Sequence, residues 1–322
     1  MQNFWMKSAA VLGLCLLPVT AGAQQAWQPT RQIKAIVPFP AGGGTDLMGR
    51  LVAKGLSDRL GQQVYVENRG GANGAIGVQA VQNADPDGYT IGVISDGPAI
   101  VNTVMYSKNP YHPLRDLVPV AMVNRFPSMI VANPGVGIKS VKDMIALAKA
   151  KPGTLNYSSG GIGNFSHMGL ELLAQQTGIN IVHVPYKGIG PATQALLTGE
   201  VQLTYNNVAT VLEHVRANKM TPIAIGEAKR LPGLDIPTVS ETVPGFEFSA
   251  WIGIFAPAKT PKPVVDRLAK EIAAFLNDPA TKDYFTKQYI NASYKAPDEF
   301  TAYIKSELGK WEGVIEKAKL KQ

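Results

Sequence analysis

Cysteine is almost missing from this chain: of 322 residues only Cys15 carries a thiol, and it falls in the apolar stretch near the N-terminus. The body of the chain therefore holds no disulfide, no cysteine nucleophile and no thiolate metal site, and it folds equally well in an oxidising compartment. Charge is sparse, at 17% Asp, Glu, Lys and Arg, and nowhere gathers into basic runs of about five to eight residues. Nucleic acid is thus not an expected partner. The four histidines, His112, His167, His183 and His214, are far apart. They form no i, i+4 pair and have no acidic companions at ligand spacing, so no metal centre is expected. No cofactor is implied either. There is no G-x-S-x-G elbow and no Ser-x-x-Lys with a plausible partner. No tandem repeat or low-complexity segment occurs, and no stretch beyond the N-terminus is apolar over the roughly 20 residues that a membrane span needs.

The N-terminus reads as an export signal. Lys7 gives a positive start, Ser8 to Val19 a short apolar core, and Ala21-Gly22-Ala23 a small-residue cleavage site, so residues 1–23 are expected to be removed. Leu14 is too large for the small residue that precedes a lipoprotein cysteine, so no lipid anchor is expected at Cys15. Export without an anchor points to the periplasm. The remaining chain, about 300 residues, is long enough for two domains of ordinary size. Its basic excess, 31 Lys and Arg against 24 Asp and Glu, suits the steering of small anions toward a cleft.

The organising stretch is Val37-Pro38-Phe39-Pro40-Ala41-Gly42-Gly43-Gly44-Thr45-Asp46, fed by the apolar run Ile33 to Val37 and followed by a helical pattern to Leu60. Three consecutive glycines let backbone amides approach a ligand, and the helix adds its unpaired first-turn amides and the positive end of its dipole. This is an anion site built from backbone. It is not a P-loop, lacking Gly-Lys-Ser/Thr, nor a dinucleotide fingerprint, because its glycines are contiguous. A strand-to-helix turn with no ligand is the alternative.

The rhythm of strand, turn and helix continues along the chain and argues for parallel sheets with helical crossovers. Strands are expected at Gln63–Glu67, Tyr89–Ile94, Val118–Val123, Ser128–Ala132, Thr154–Ser158, Ile179–Val184, Val201–Tyr205 and Met220–Ile225. Phe246 to Phe255 reads as extended and aromatic. Helices are expected at 75–82, after Pro98, from Ser140 to Lys151, 165–176, from Pro191 to Gly199, after Asn207 to about Ala217, 261–276 and 298–319. The strand-end loops carry small or hydroxyl residues at Phe39 to Asp46, Ser95 to Gly97, Ser158 to His167, Tyr186 to Gly190 and Asn206-Asn207. In open parallel sheets, ligands bind beyond the carboxyl ends of the strands. Two of these loops precede the Asn124 region and three follow it. Two domains facing one another would bring both sets together as a clamp on a small anion.

These residues also resemble a known family, the solute receptors of tripartite tricarboxylate transporters (the Bug family). The resemblance is carried by Val37 to Asp46, by Val66-Glu67-Asn68-Arg69-Gly70-Gly71-Ala72-Asn73-Gly74 and by Asp85-Pro86-Asp87-Gly88-Tyr89-Thr90. It continues in His183-Val184-Pro185-Tyr186-Lys187-Gly188, Ile236-Pro237-Thr238-Val239 with Glu241, and Trp251 through Phe255-Ala256-Pro257 to Thr260-Pro261. It covers the mature chain in order. It implies an α/β, periplasmic-binding-protein-like fold, a Venus flytrap of two α/β domains with the ligand cleft between them. Residues 24–124 with 250–322 would form one domain and 125–249 the other. The implied function is that of a non-catalytic monomer that closes on a small mono- or dicarboxylate and delivers it to integral-membrane transporter subunits.

Carried over by position, the resemblance places a ligand carboxylate at the amides of Gly43, Gly44 and Thr45, with Phe39 walling the cleft. Ser158, Ser159, Gly160, Asn164, Ser166 and His167 match the second domain's glycine loop, and Tyr186 and Lys187 its strand exit. Where many relatives have an Asp, this chain has Tyr205-Asn206-Asn207, which leaves the cleft less hostile to a second carboxylate. Several readings stay open. Asp46 either caps the helix, with Arg50 as partner, or positions ligand. Lys187 is either solvated or in the cleft, and Tyr186 is the aromatic expected there. Trp251 reads as hinge or core packing. The alternative function is a hydrolase using Ser158 or Ser166 with His167.

Overall fold

A computed structural model of the chain describes residues 27–322. The expected leader and its cleavage site after Ala23 lie outside the described residues. The first strand, β1 (Ile33–Val37), is followed by α1 (Gly44–Leu60), β2 (Val64–Asn68), α2 (Ala75–Gln82) and β3 (Thr90–Ser95). β1 pairs in parallel with both β2 and β3. It is buried on both faces, as a strand covered by crossover helices must be. Ile33, Ala35 and Val37 join a core with Val52 and Leu56 of α1, whereas Ile36 joins a different one with Val78 and Val81 of α2. Gly49 lets α1 lie directly on β1, since a Cβ there would come within 2.7 Å of Val37. That contact fixes where the helix N-terminus points.

A π turn at Gly97–Val101 runs into the short α3 (Asn102–Met105), and β4 (Leu117–Phe126) carries the chain out of this sheet. After Pro127 alone, β5 (Ser128–Ala132) begins a second sheet, built with α4 (Val141–Ala150), β6 (Asn156–Ser159), α5 (Phe165–Thr177), β7 (Val182–Pro185), α6 (Ile189–Thr198), β8 (Leu203–Asn207), α7 (Val208–Arg216) and β9 (Thr221–Ile225). The chain then returns through β10 (Ala250–Pro257), α8 (Lys262–Asn277), α9 (Pro279–Lys287), β11 (Asn291–Lys295) and α10 (Pro297–Lys317). The strand orders are β11-β4-β10-β3-β1-β2 and β7-β6-β8-β5-β9.

Both sheets are mixed, which corrects the expectation of purely parallel ones. The outgoing strand β4 and the returning strand β10 lie side by side, with Phe126 opposite Ala250, so they can only be antiparallel. β5 likewise runs antiparallel to β8 and β9. A second difference lies at Asn124–Phe126, which reads in sequence as a break between strands. It is the end of β4 and remains paired in the first sheet. The consequence for the site is that the carboxyl ends of β1, β3, β6 and β8 all face the junction between the sheets. Aromatic packing ties the two sheets together there: Tyr205 of β8 stacks on Phe248 at 5.9 Å, and Phe248 meets Trp311 of α10 edge-on at 4.9 Å.

Candidate ligand cleft

A cleft of about 1180 Å³ opens between the two sheets. On the first-sheet side it is lined by Phe39 to Thr45, Gly71 to Gly74, Ser95 to Gly97 and Phe126. On the other side it is lined by Gly160, Asn164, Lys187 to Pro191, Thr193 and Asn207. Of the residues expected from sequence, Phe39, Gly43, Gly44, Thr45, Ser95, Gly160, Asn164, Lys187 and Asn207 therefore share one cavity. The two sides come close at Gly44, where a Cβ would lie 3.5 Å from the ring of Phe126 and 3.8 Å from the amide nitrogen of Asn207. Ser128 Oγ donates to Asn207 Oδ1 at 3.3 Å, which orients that side chain.

The first jaw is a backbone device held from behind. Gly43 is the N-cap of α1 and offers no side-chain cap, and its carbonyl accepts from Leu47 N at 2.9 Å. Among the described residues, nothing accepts from the amides of Gly44, Thr45 and Asp46, and the helix dipole adds its positive end at this point. Gly42 takes φ of 90°, a conformation that favours glycine. Asp46 does not line the cleft. Its carboxylate accepts from Gly42 N at 2.9 Å, Arg50 Nε at 3.0 Å and Asn68 Nδ2 at 2.9 Å, and Asn68 Nδ2 also reaches the Phe39 carbonyl at 3.0 Å. Burial raises the Asp46 pKa, but the bonds from Arg50, Gly42 and Asn68 outweigh it and hold the carboxyl below its ordinary value. Asp46 thus staples the glycine turn into shape.

The second jaw is held in the same indirect way. Ser158 Oγ donates to the Ala192 carbonyl at 2.9 Å, and Ser159 Oγ lies 2.5 Å from His183 Nε2. Asn164 Oδ1 accepts from Ser166 N at 3.1 Å and from Ser166 Oγ at 2.8 Å, while Ser166 Oγ accepts from Gly160 N at 3.1 Å. His167 Nδ1 accepts from Gly163 N at 3.1 Å. Ser158, Ser159, Ser166 and His167 are buried and lie outside the cleft lining. Neither serine named for a hydrolase bonds to His167. Tyr186 turns its hydroxyl to Glu200 at 2.7 Å and does not line the cleft. Asn206 is fully buried and donates to Thr193 Oγ1 at 2.9 Å, so its neighbour Thr193 faces the cleft in its place.

Sequence reasoning passed over several lining residues. The Gly71–Gly74 turn was visible as a glycine turn, and Asp96 as part of the Ser95 to Gly97 loop. Phe126, Thr193 and the start of β10 carry no local signal. Trp251 lines the cleft and is also core, meeting Phe300 edge-on at 5.4 Å.

The imidazoles of His167 and His183 stack at 3.9 Å under the second jaw. Burial first, and then the His183 charge, pushes His167 down to about 3, and burial pushes His183 down to about 4. A histidine with a depressed folded pKa gives full stability above its unfolded value near 6.5 and loses it as pH falls from there toward the folded value. The stability difference between wild type and His167→Gln should therefore shrink by roughly 2 kcal/mol from pH 7 to pH 5. Urea unfolding at both pH values measures it, and the difference cancels other titrating groups. An unchanged difference would contradict a neutral buried pair.

Comparison with known proteins decides the class. The model of the tripartite tricarboxylate transporter family receptor matches residues 48–320. The chain belongs to this receptor family. BugT of Bordetella pertussis is 36% identical to the receptor, over 97% of this chain and 98% of that protein. The solved structure of R. palustris Rpa4515 with adipate superposes with a TM-score of 0.84 at 33% identity, covering 90% of this receptor and 98% of that chain. MatC from Rhodopseudomonas palustris with bound malate gives a TM-score of 0.81 at 29% identity, over 89% and 99%. The receptor has the two-domain fold of periplasmic solute-binding proteins and is a binding protein rather than an enzyme. The hydrolase alternative has no support.

Proposed function

We propose that this receptor captures a small organic mono- or dicarboxylate in the cleft between its two sheets, in the periplasm, and hands it to integral-membrane transporter subunits as a monomer. The observation that carries the reading is the uncapped α1 N-terminus. Gly44 and Thr45 present free amides to a cavity that the second sheet closes with Asn207 and Gly160. Adipate and malate in the two related structures are both carboxylates. The first domain is residues 24–126 with 250–322 and the second is 127–249, two residues beyond the boundary expected from sequence because β4 stays paired in the first sheet to Phe126, and the crossings after β4 and before β10 act as the hinge. The ligand touches the Gly43–Thr45 amides and Phe39 on one side, and Asn207, Gly160, Asn164 and the rim residue Lys187 on the other. Ser95, at the end of β3, lines the first side.

A thermal-shift panel tests this, with adipate, malate, tricarboxylates, amino acids, nicotinate and benzoate. A ligand at a hundredfold excess over Kd adds about 2.7 kcal/mol of stability, a rise of several degrees. A panel in which no carboxylate raises the melting temperature would refute the proposal.

A further inference from the structure

Asp96 is an odd residue to find in a cleft that binds anions. It follows the last residue of β3 and lines the cleft, yet it is only 3% exposed. β3 is the direct neighbour of β1, so the loop carrying Asp96 emerges beside the loop carrying Phe39 to Thr45. The nearby backbone amides of Gly97 and of Asp96 itself favour its charged form, and among the described residues no side chain donates to it. Arg125 of β4 is the cation that acts on it, but that guanidinium is bonded to Glu247 Oε1 and Ser249 Oγ, both at 2.8 Å. The other titratable groups facing Asp96 are Glu307 and Tyr303 of α10 and Tyr205 of β8. Glu307 repels a second negative charge, and both tyrosines are neutral.

A buried carboxylate with no paired cation is costly, and it lowers that cost by taking a proton. We infer that Asp96 takes part in ligand binding as a neutral acid, so that each carboxylate loaded into the cleft brings one proton from solvent onto Asp96. The inference rests on the receptor reading above. Burial first and then the Glu307 charge raise this carboxyl to about 7 without any contribution from a ligand. A ligand carboxylate in the same low-dielectric cleft adds a further like charge and raises it again. The sign of the linkage follows. Below about pH 7 Asp96 is protonated before ligand arrives, and binding takes up no proton. Above it, binding must take up a proton, and affinity falls as pH rises. Loading is therefore favoured on the acid side of neutrality, with release favoured where a local environment deprotonates Asp96.

Calorimetric titration with adipate and with malate, between pH 5.5 and 8.5 and in two buffers of different ionisation enthalpy, tests this. The expected result is uptake approaching one proton per ligand at pH 8 and falling away below pH 7, where only the ligand's own second carboxyl still titrates. Affinity should fall roughly tenfold between pH 7.5 and 8.5. Asp96→Asn should abolish both the proton uptake and the pH slope. Glu307→Gln should move the onset of the slope to lower pH, because it removes the repelling charge while leaving the acid in place. Binding without proton uptake at pH 8, or a slope that survives in Asp96→Asn, overturns this inference and leaves the receptor reading standing. No heat from adipate, malate or any other carboxylate of the panel overturns both.

Discussion

Gly44→Leu is expected to fold normally and to lose carboxylate affinity by about 100-fold or more, close to 3 kcal/mol. Gly44 is the first residue of α1 and points into the gap between the lobes, with the Phe126 ring and the Asn207 amide at ordinary van der Waals distance from a Cβ. A methyl group fits there, so Gly44→Ala should cost little. A leucine side chain fills the gap between the lobes, covers the free amides of the first turn and holds the jaws apart. A hydrogen bond from an amide to a charged acceptor contributes about 1.5–3 kcal/mol, so loss of even one such bond together with impeded closure accounts for the size. The fold should survive because the added atoms meet only the cleft-lining edge of Phe126 and the Asn207 amide and otherwise project into the cleft. The apo melting temperature checks the second point and calorimetry the first. Wild-type affinity in Gly44→Leu would refute the placement of the anion site at this helix end.

Asp46→Ala should destabilise the apo protein by roughly 2–3 kcal/mol and weaken ligand binding as well. One carboxylate holds the Gly42 amide, the Asn68 amide and Arg50 together, and it is only 4% exposed. Its removal leaves the Gly42 amide without an acceptor and Asn68 Nδ2 with the Phe39 carbonyl alone, and it frees the turn that presents Gly43 to Thr45. The folded pKa of Asp46 is lowered, so its contribution is complete above the unfolded value near 4 and is lost as pH falls through the folded one. The destabilisation caused by Asp46→Ala should accordingly diminish in acid. Urea unfolding at neutral pH gives the main number. A change within a few tenths of a kcal/mol would show that the turn holds its shape without the staple.

The first jaw was legible in the sequence because its parts are contiguous: an apolar strand, a glycine turn and a helix start. The α8 stripe of Val264, Val265, Leu268, Ile272 and Phe275 was equally plain, and all five are buried. Strand direction was not legible, because a strand buried on both faces reads as an apolar run whichever way it points. α9 and β11 were missed for a related reason. Most of α9 is polar, and β11 is an edge strand with exposed or half-buried residues throughout, so neither shows a clear period. In the second jaw, sequence identified the loop but not the facing of its side chains. Ser158, Ser166 and His167 turn inward to hold the loop, and the backbone of Gly160 is what reaches the cleft. Asn206 and Asn207 divide in the same way. Alternation along β8 sends one amide into the second lobe and the other toward Gly44.

The claim on which the rest depends is that a carboxylate draws the two lobes together, and a distance between them reads it directly. Ile76 on the first lobe is 52% exposed and Ile162 on the second is 42% exposed. The single native cysteine, Cys15, lies in the expected leader, so cysteines at these two positions would be the only labelling sites in the mature chain. Pulsed electron–electron double resonance between spin labels at 76 and 162, with and without the carboxylate giving the largest thermal shift, is the measurement. Ligand is expected to move the distance distribution toward its short end and to narrow it, and Gly44→Leu to abolish the change. A distribution unaltered by saturating carboxylate would contradict the clamp.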